Sequence, residues 1–279
     1  MPPNLRPRKF AFAAGVIAAL GAMSTFACAP VTNRLLLYPS RDELPLNGAE
    51  RVMAPHQEGA IETIRAKSPG ALHEPIRAIV LRFYGNADRA DSWPAEEAQS
   101  FGKWPVEVWG VNYPGFGHSV GNATLAGVAR AANVAFGEAS KRGLPIFVMG
   151  TSMGTTAALH LAANHQVNGL FLQNPPPLAQ LIRGRHGWWN LWILAGPISL
   201  SVPPSVDSLS NARRAKAPAL VISSEDDNIV PFTYQTDVFD AYAGPKQRIV
   251  LPGAGHNDAI PDTVWVQIHQ VLQKQGWGL

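Results

Sequence analysis

The sequence holds a single cysteine, Cys28, which excludes an intramolecular disulfide framework and any zinc or iron–sulfur site built on several thiolates. It is also poor in charge. Only 15% of its 279 residues are Asp, Glu, Lys or Arg against 46% apolar ones, too apolar for a disordered chain and long enough for one large globular domain. No His-Glu-x-x-His occurs, and His160 and His165 stand five apart, off the i, i+4 spacing with which a helix presents a zinc pair. A Gly-rich phosphate loop and internal repeats are absent as well. No metal or organic cofactor is therefore expected. The excess of 23 basic over 20 acidic residues hints at an anionic partner until it is located. Arg6, Arg8 and Lys9 lie in the first 27 residues, which carry no acid, so the remainder is balanced and no nucleic-acid partner is expected.

Those three basic residues precede Phe10–Ala27, eighteen residues without a charge. A basic stretch followed by an apolar one is the layout of a secretory signal. Thr25-Phe26-Ala27-Cys28 partly resembles a bacterial lipobox: Ala27 suits the position before the cysteine, while Thr25 and Phe26 depart from the pattern. Pro30 disfavours an ordinary cut after Ala29. The expectation is a signal peptide over 1–27, lipid attachment at Cys28, and an exported domain over 28–279 tethered to a membrane. Plain secretion and an uncleaved anchor are the alternatives, since eighteen apolar residues are about the shortest bilayer span. So is an unprocessed Cys28 serving as a small core residue.

From residue 50 onward, short apolar runs alternate with helix-like stretches, which predicts an α/β domain with a mostly parallel sheet. The strand candidates are 61–66, 76–83, 106–111, 146–149, 169–172, 219–222 and 248–251. Several are continuous β-branched runs suited to a sheet covered on both faces. Helices are predicted near 90–101, 124–141 (capped by Thr124), 153–164, 232–241 and 262–274. Residues 174–215 break the alternation with Asn174-Pro-Pro-Pro177, Trp188, Trp189 and Trp192, and read as a short cap over the sheet edge.

The pentapeptide Gly-x-Ser-x-Gly occurs twice, as Gly117-His-Ser119-Val-Gly121 and Gly150-Thr-Ser152-Met-Gly154. A nucleophile elbow needs a strand running into the serine and a helix leaving it, so that the hydroxyl is forced out above the sheet. Pro145-Ile-Phe-Val-Met149 and the Ala- and Leu-rich stretch after Met153 supply both for Ser152. Ser119 follows Tyr113-Pro-Gly-Phe-Gly117, which is turn chemistry, and reads as a loop residue. An activated serine needs a base and an orienting carboxylate. His256 sits in the glycine-loosened loop Leu251-Pro-Gly-Ala-Gly-His256 after a strand, whereas His269 lies within the last predicted helix. The carboxylate lies in Ser223-Ser-Glu225-Asp226-Asp227-Asn-Ile-Val-Pro231.

Four elements then stand in order: Tyr84-Gly-Asn86, Gly-Thr-Ser152-Met-Gly, Asp227-Asn-Ile-Val-Pro and Gly-His256-Asn-Asp. Together they resemble the α/β-hydrolase superfamily. Asn112–Gly121 is similar to a loop of its branch of serine-peptidase-like proteins and acyl-protein thioesterases. The resemblance implies the α/β-hydrolase fold with a short cap, and the Ile-Val-Pro tail, like the family's Asp-x-Val-Val-Pro, selects Asp227 over Asp226. It implies Ser152 as nucleophile, His256 as base and Asp227 as orienting acid, with the backbone N–H groups of Asn86 and Met153 as oxyanion hole. Tyr84, where the family has histidine, is a candidate substrate contact; so are Trp188, Trp189 and Trp192, whose apolar stretch could line an acyl pocket, rest on a lipid interface or simply close the core over the sheet. The activity this implies is hydrolysis of carboxylic esters or thioesters; a serine peptidase and a non-catalytic binding protein on the same scaffold are the rival readings.

Overall fold

The computed structural model describes residues 28–186 and 192–274; the expected signal segment lies outside them. One sheet of eight strands forms the centre: β1 (Glu50–Ala54), β2 (Ile61–Lys67), β3 (Ala78–Phe83), β4 (Val106–Val111), β5 (Ile146–Thr151), β6 (Gly169–Gln173), β7 (Ala219–Ser224) and β8 (Lys246–Leu251). Their order is β1-β2-β4-β3-β5-β6-β7-β8. The β1–β2 and β2–β4 pairs are antiparallel, and the remaining pairs are parallel. Every residue of β3, β4 and β7 is buried, as continuous apolar strands covered on both faces should be. The seven strands read from the sequence are all present. The eighth, β1, escapes that reading because Glu-Arg-Val-Met-Ala buries only its last residue, as befits an edge strand.

Helices cover both faces: α1 (28–36), α2 (Pro94–Ser100), α3 (Leu125–Ser140), α4 (Gly154–Asn164), α5 (Leu178–His186), α6 (Trp192–Leu200), α7 (Ser208–Arg214), α8 (Phe232–Ala241) and α9 (Asp262–Lys274). Thr124 caps α3 as expected, its Oγ1 accepting from Gly127 N–H at 2.9 Å. The larger core cluster joins α3 and α4 to one face of the sheet, and a second joins α2 and α9 to the other. Within 174–215, α5 and α6 pack on each other, whereas α7 packs on α4 and α8. With Ala212 and Ala215 in the main core, the last part of the expected excursion belongs to the domain body. Among the described residues, no helix is long and apolar enough to cross a membrane.

The parallel register brings together the strand ends that matter. Phe83 pairs with Gly150, Thr151 with Gln173 and Ser224 with Leu251. The loops leaving β3, β5, β7 and β8 therefore emerge along one rim at the carboxyl ends of the strands, the place where open α/β sheets bind ligands.

Candidate active site

Ser152 stands between β5 and α4 with φ +51°, a left-handed conformation unusual for a residue with a side chain. The turn is fixed on both sides: Ser152 N–H donates to Gln173 O at 2.8 Å, and Thr155 N–H and Oγ1–H donate to Ser152 O. Neither flanking glycine tolerates a side chain. A Cβ on Gly150 would come within 2.6 Å of Gly154 O, and one on Gly154 would collide with Phe83 O and Tyr84 O. The elbow is thus pressed against the chain leaving β3.

His256 Nε2 lies 3.0 Å from Ser152 Oγ, and His256 Nδ1 lies 2.6 Å from Asp227 Oδ2. An ionised carboxylate only accepts hydrogen bonds, so Nδ1 carries the ring proton and Nε2 presents its lone pair to the serine hydroxyl. Asp227 is held in turn. Its Oδ1 accepts from Ile229 N–H at 2.8 Å and Val230 N–H at 2.7 Å, and its Oδ2 accepts from Gln235 Nε2 at 3.2 Å. Asp226, the alternative acid, is exposed to solvent, so Asp227 is the carboxylate that meets the imidazole.

Met153, buried, is the N-cap residue of α4, at the helix end whose first-turn N–H groups lack intrahelical partners and favour negative charge. Asn86 lies three residues beyond β3, and its carbonyl accepts from Tyr38 N–H at 2.9 Å. Tyr113 Oη donates to Tyr84 O at 2.9 Å and stands edge-on to Phe116. The Tyr84–Asn86 segment is therefore pinned at both ends, by the chain after α1 and by the loop after β4.

Comparison with known proteins bears on the fold. Over 236 residues the chain is 30% identical to the uncharacterised protein Rv2307c of Mycobacterium tuberculosis, covering 81% of this chain and 80% of that one. It is 26% identical over 159 residues to the alpha/beta hydrolase domain-containing protein aho-3 of Caenorhabditis elegans, covering 54% of this chain and 44% of that one. No family model matches the chain. Est1E from Butyrivibrio proteoclasticus, solved with ferulic acid bound, superposes with a TM-score of 0.66 at 14% identity over 80% of this chain and 98% of that one. The chain has the α/β-hydrolase fold. The Pyrococcus furiosus esterase Pf2001 has the same fold, with a TM-score of 0.63 at 13% identity over 86% of this chain and all of that one. At such identities these two structures speak for the fold alone.

Two residues lie elsewhere than expected or do other work. Tyr84 does not face a substrate. Strand parity puts it on the same side as Arg82, where it is buried, its hydroxyl donating to Glu97 Oε2 at 2.7 Å and its ring lying under the Arg82 guanidinium. Burial, with Glu97 beside it, holds the phenol protonated well above its ordinary range. Ser119 is fully buried; its hydroxyl donates to Asn112 O at 2.7 Å and accepts from Glu62 N–H at 2.8 Å, which fastens the first Gly-x-Ser-x-Gly loop to β2. Glu62 and Asn112 themselves belong to a buried network with Arg51, Asp91 and Arg89. Trp192 opens α6, and Trp188 and Trp189 lie outside the described residues.

Two further residues brace the site without having been assigned a role from the sequence. Asn174, fully buried at φ +50°, donates from Nδ2 to His256 O at 3.1 Å and accepts at Oδ1 from Ser224 N–H at 2.9 Å. It ties the end of β6 to the end of β7 and to the histidine loop. Gln235, buried on α8, holds Ser224 O and Val230 O as well as Asp227. An Asn before a Pro at a strand end is a usable hint, because Asn tolerates the left-handed conformation. Gln235 offers no such hint, since its partners are set by tertiary packing.

Proposed function

We propose that this protein is a serine hydrolase that cleaves carboxylic esters or thioesters through an acyl-serine intermediate. The observation that carries the reading is the continuous hydrogen-bonded line from Asp227 Oδ2 through His256 to Ser152 Oγ, ending at a strained strand-to-helix turn. Ser152 Oγ attacks the acyl carbonyl as its proton passes to His256 Nε2, and Asp227 stabilises the imidazolium and keeps its orientation. Negative charge develops on the carbonyl oxygen beside the start of α4, where the N–H groups of Met153 and Asn86 serve as donors; one such donor is worth about 3–4 kcal/mol in other serine enzymes. The tetrahedral species collapses by breaking the bond to the leaving oxygen or sulfur, which takes the proton from His256. Water, deprotonated by His256, then attacks the acyl-serine and releases the acid and free Ser152.

The structurally similar Est1E with ferulic acid and the esterase Pf2001 lend support to an ester substrate. Fluorophosphonate labelling tests the nucleophile: the label is expected on Ser152 and is lost in Ser152→Ala, and labelling that persists or moves to Ser119 would overturn the assignment. A chain-length series of p-nitrophenyl esters beside aminoacyl p-nitroanilides tests the reaction. Preference for the anilides would replace the esterase reading with a peptidase one, and turnover of neither, with no labelling, would favour a binding protein.

A further inference from the structure

Helix α1 exposes apolar side chains on its outer side. Its sequence, Cys-Ala-Pro-Val-Thr-Asn-Arg-Leu-Leu, holds one charge, Arg34. The inner side is used by the domain. Thr32 is fully buried with its hydroxyl 2.6 Å from Ser201 Oγ at the end of α6, Asn33 Oδ1 accepts from Leu125 N–H at 3.0 Å, and Leu37 packs into the main core. The outer side is bare. Val31 and Leu35, one helical turn apart, are 48% and 55% exposed. Tyr38, 54% exposed, donates its hydroxyl to Leu35 O at 3.0 Å, so its ring extends the same stripe. A contiguous apolar strip left in water marks a contact surface.

The chain itself says what that contact is. Immediately before α1 run the eighteen uncharged residues Phe10–Ala27, preceded by Arg6, Arg8 and Lys9, a composition that partitions into a bilayer next to anionic headgroups. Helix α1 follows it directly, whether that run stays as an anchor or is exchanged for the expected lipid on Cys28. Arg34, exposed beside the stripe, and the phenol of Tyr38 are groups that sit at headgroup level while neighbouring apolar side chains enter the acyl region.

We propose that α1 and Tyr38 form an interfacial docking surface that lies on a phospholipid bilayer, with Val31, Leu35 and Tyr38 inserted. The same segment borders the candidate site. Tyr38 N–H donates to Asn86 O, Ser40 O accepts from Gly117 N–H, and Thr32 reaches α6. Docking α1 therefore brings the strand-end rim to the lipid surface, where it meets esters held in the bilayer, a consequence that rests on the serine-hydrolase reading.

The test uses the full chain carrying Cys28→Ser and one nitroxide at Leu35→Cys, mixed with vesicles of phosphatidylcholine and phosphatidylglycerol. A label at Ser140→Cys, on the last residue of the 16-residue helix α3 and at the end away from α1, is the reference. On vesicle addition the label at position 35 is expected to become about tenfold less accessible to a water-soluble nickel chelate while staying open to oxygen, with the reference unchanged. Vesicle binding of the whole chain is not the readout, because the uncharged run binds by itself. Chelate access at position 35 that stays equal to the reference overturns the proposal. So does a label already shielded without vesicles, since residues 1–27 or a second copy would then cover the stripe. Val31→Cys repeats the measurement if Leu35→Cys does not fold. In a second measurement, Leu35→Glu is expected to slow hydrolysis of a vesicle-embedded ester about tenfold and to leave a soluble short-chain ester unaffected. Equal rates on both esters before and after the substitution would overturn the link to the site. A parent chain that hydrolyses neither ester would overturn the hydrolase reading alone, because the nitroxide result stands independently.

Discussion

Replacing Asn174 tests whether the histidine loop is held by a side chain outside the triad. In Asn174→Gly the left-handed backbone remains free of strain, so the effect isolates the two lost hydrogen bonds. Ser224 N–H is left buried without its acceptor, about 1–3 kcal/mol, and the bond to His256 O is lost, about 0.5–1.5 kcal/mol, for a total of roughly 2–4 kcal/mol. For a domain of this size each kcal/mol moves Tm by about 2–4 °C, so thermal unfolding followed by circular dichroism should show a fall of roughly 5–15 °C. Asn174→Ala should fall further, by about 1–2 kcal/mol, because alanine pays for the positive φ. Asn174→Asp keeps the acceptor for Ser224 N–H but sets a carboxylate oxygen against His256 O. It should therefore retain more stability than the glycine variant and lose at least as much activity. Since a displacement of His256 by 1 Å costs about 100-fold, kcat on a short p-nitrophenyl ester is expected to drop about 10–100-fold with KM nearly unchanged. An Asn174→Gly protein with parental kcat and a Tm within about 1 °C of the parent would refute the reasoning.

Three further outcomes follow from the geometry. Ser119→Ala strips two buried backbone groups of their partner and should lower the urea midpoint by an amount equivalent to about 1–3 kcal/mol, while fluorophosphonate still marks Ser152. Tyr113→Phe keeps the ring but frees Tyr84 O beside the candidate oxyanion segment; kcat should fall severalfold at constant KM, and an unchanged kcat would remove Tyr113 from that role. Burial, with His165 and Arg214 nearby, holds His160 below the usual imidazole range. A depressed folded pKa leaves stability complete above the unfolded value, about 6.5, and erodes it as pH falls through the folded one. Tm should thus decline as pH falls below about 6.5, and less so in His160→Gln.

The parts of the molecule that were legible in the sequence are those encoded by neighbours along the chain. Seven strands announce themselves as apolar runs, α3 by its Thr124 cap, and the elbow by a strand, two glycines and a helix within twenty residues. Asp227 was selectable only through the resemblance of its Ile-Val-Pro tail. The structure supplies the physical reason: Ile229 and Val230 fold back so that their N–H groups close on the carboxylate, which Asp226 cannot reach from its exposed position. Asn174 and Gln235 are harder to pick out: the partners of Asn174, 82 and 50 positions away, meet it only after the sheet has formed, and those of Gln235, 5 to 11 positions away, meet it only once the loop after β7 folds back on α8. The misreading of Tyr84 is instructive. Counting by twos from Arg82 places it on the α2 side of β3, and that parity outranks its proximity to Gly85 and Asn86.

Because each loop of the candidate site leaves the carboxyl end of a strand, the opposite rim of the sheet is spared. There Lys141, Arg142 and Gly143 form an exposed turn between α3 and β5, with Gly143 at φ +64°. This turn is a place to attach a tag, a dye or a solid support, and an immobilised molecule held there keeps its working edge toward the medium.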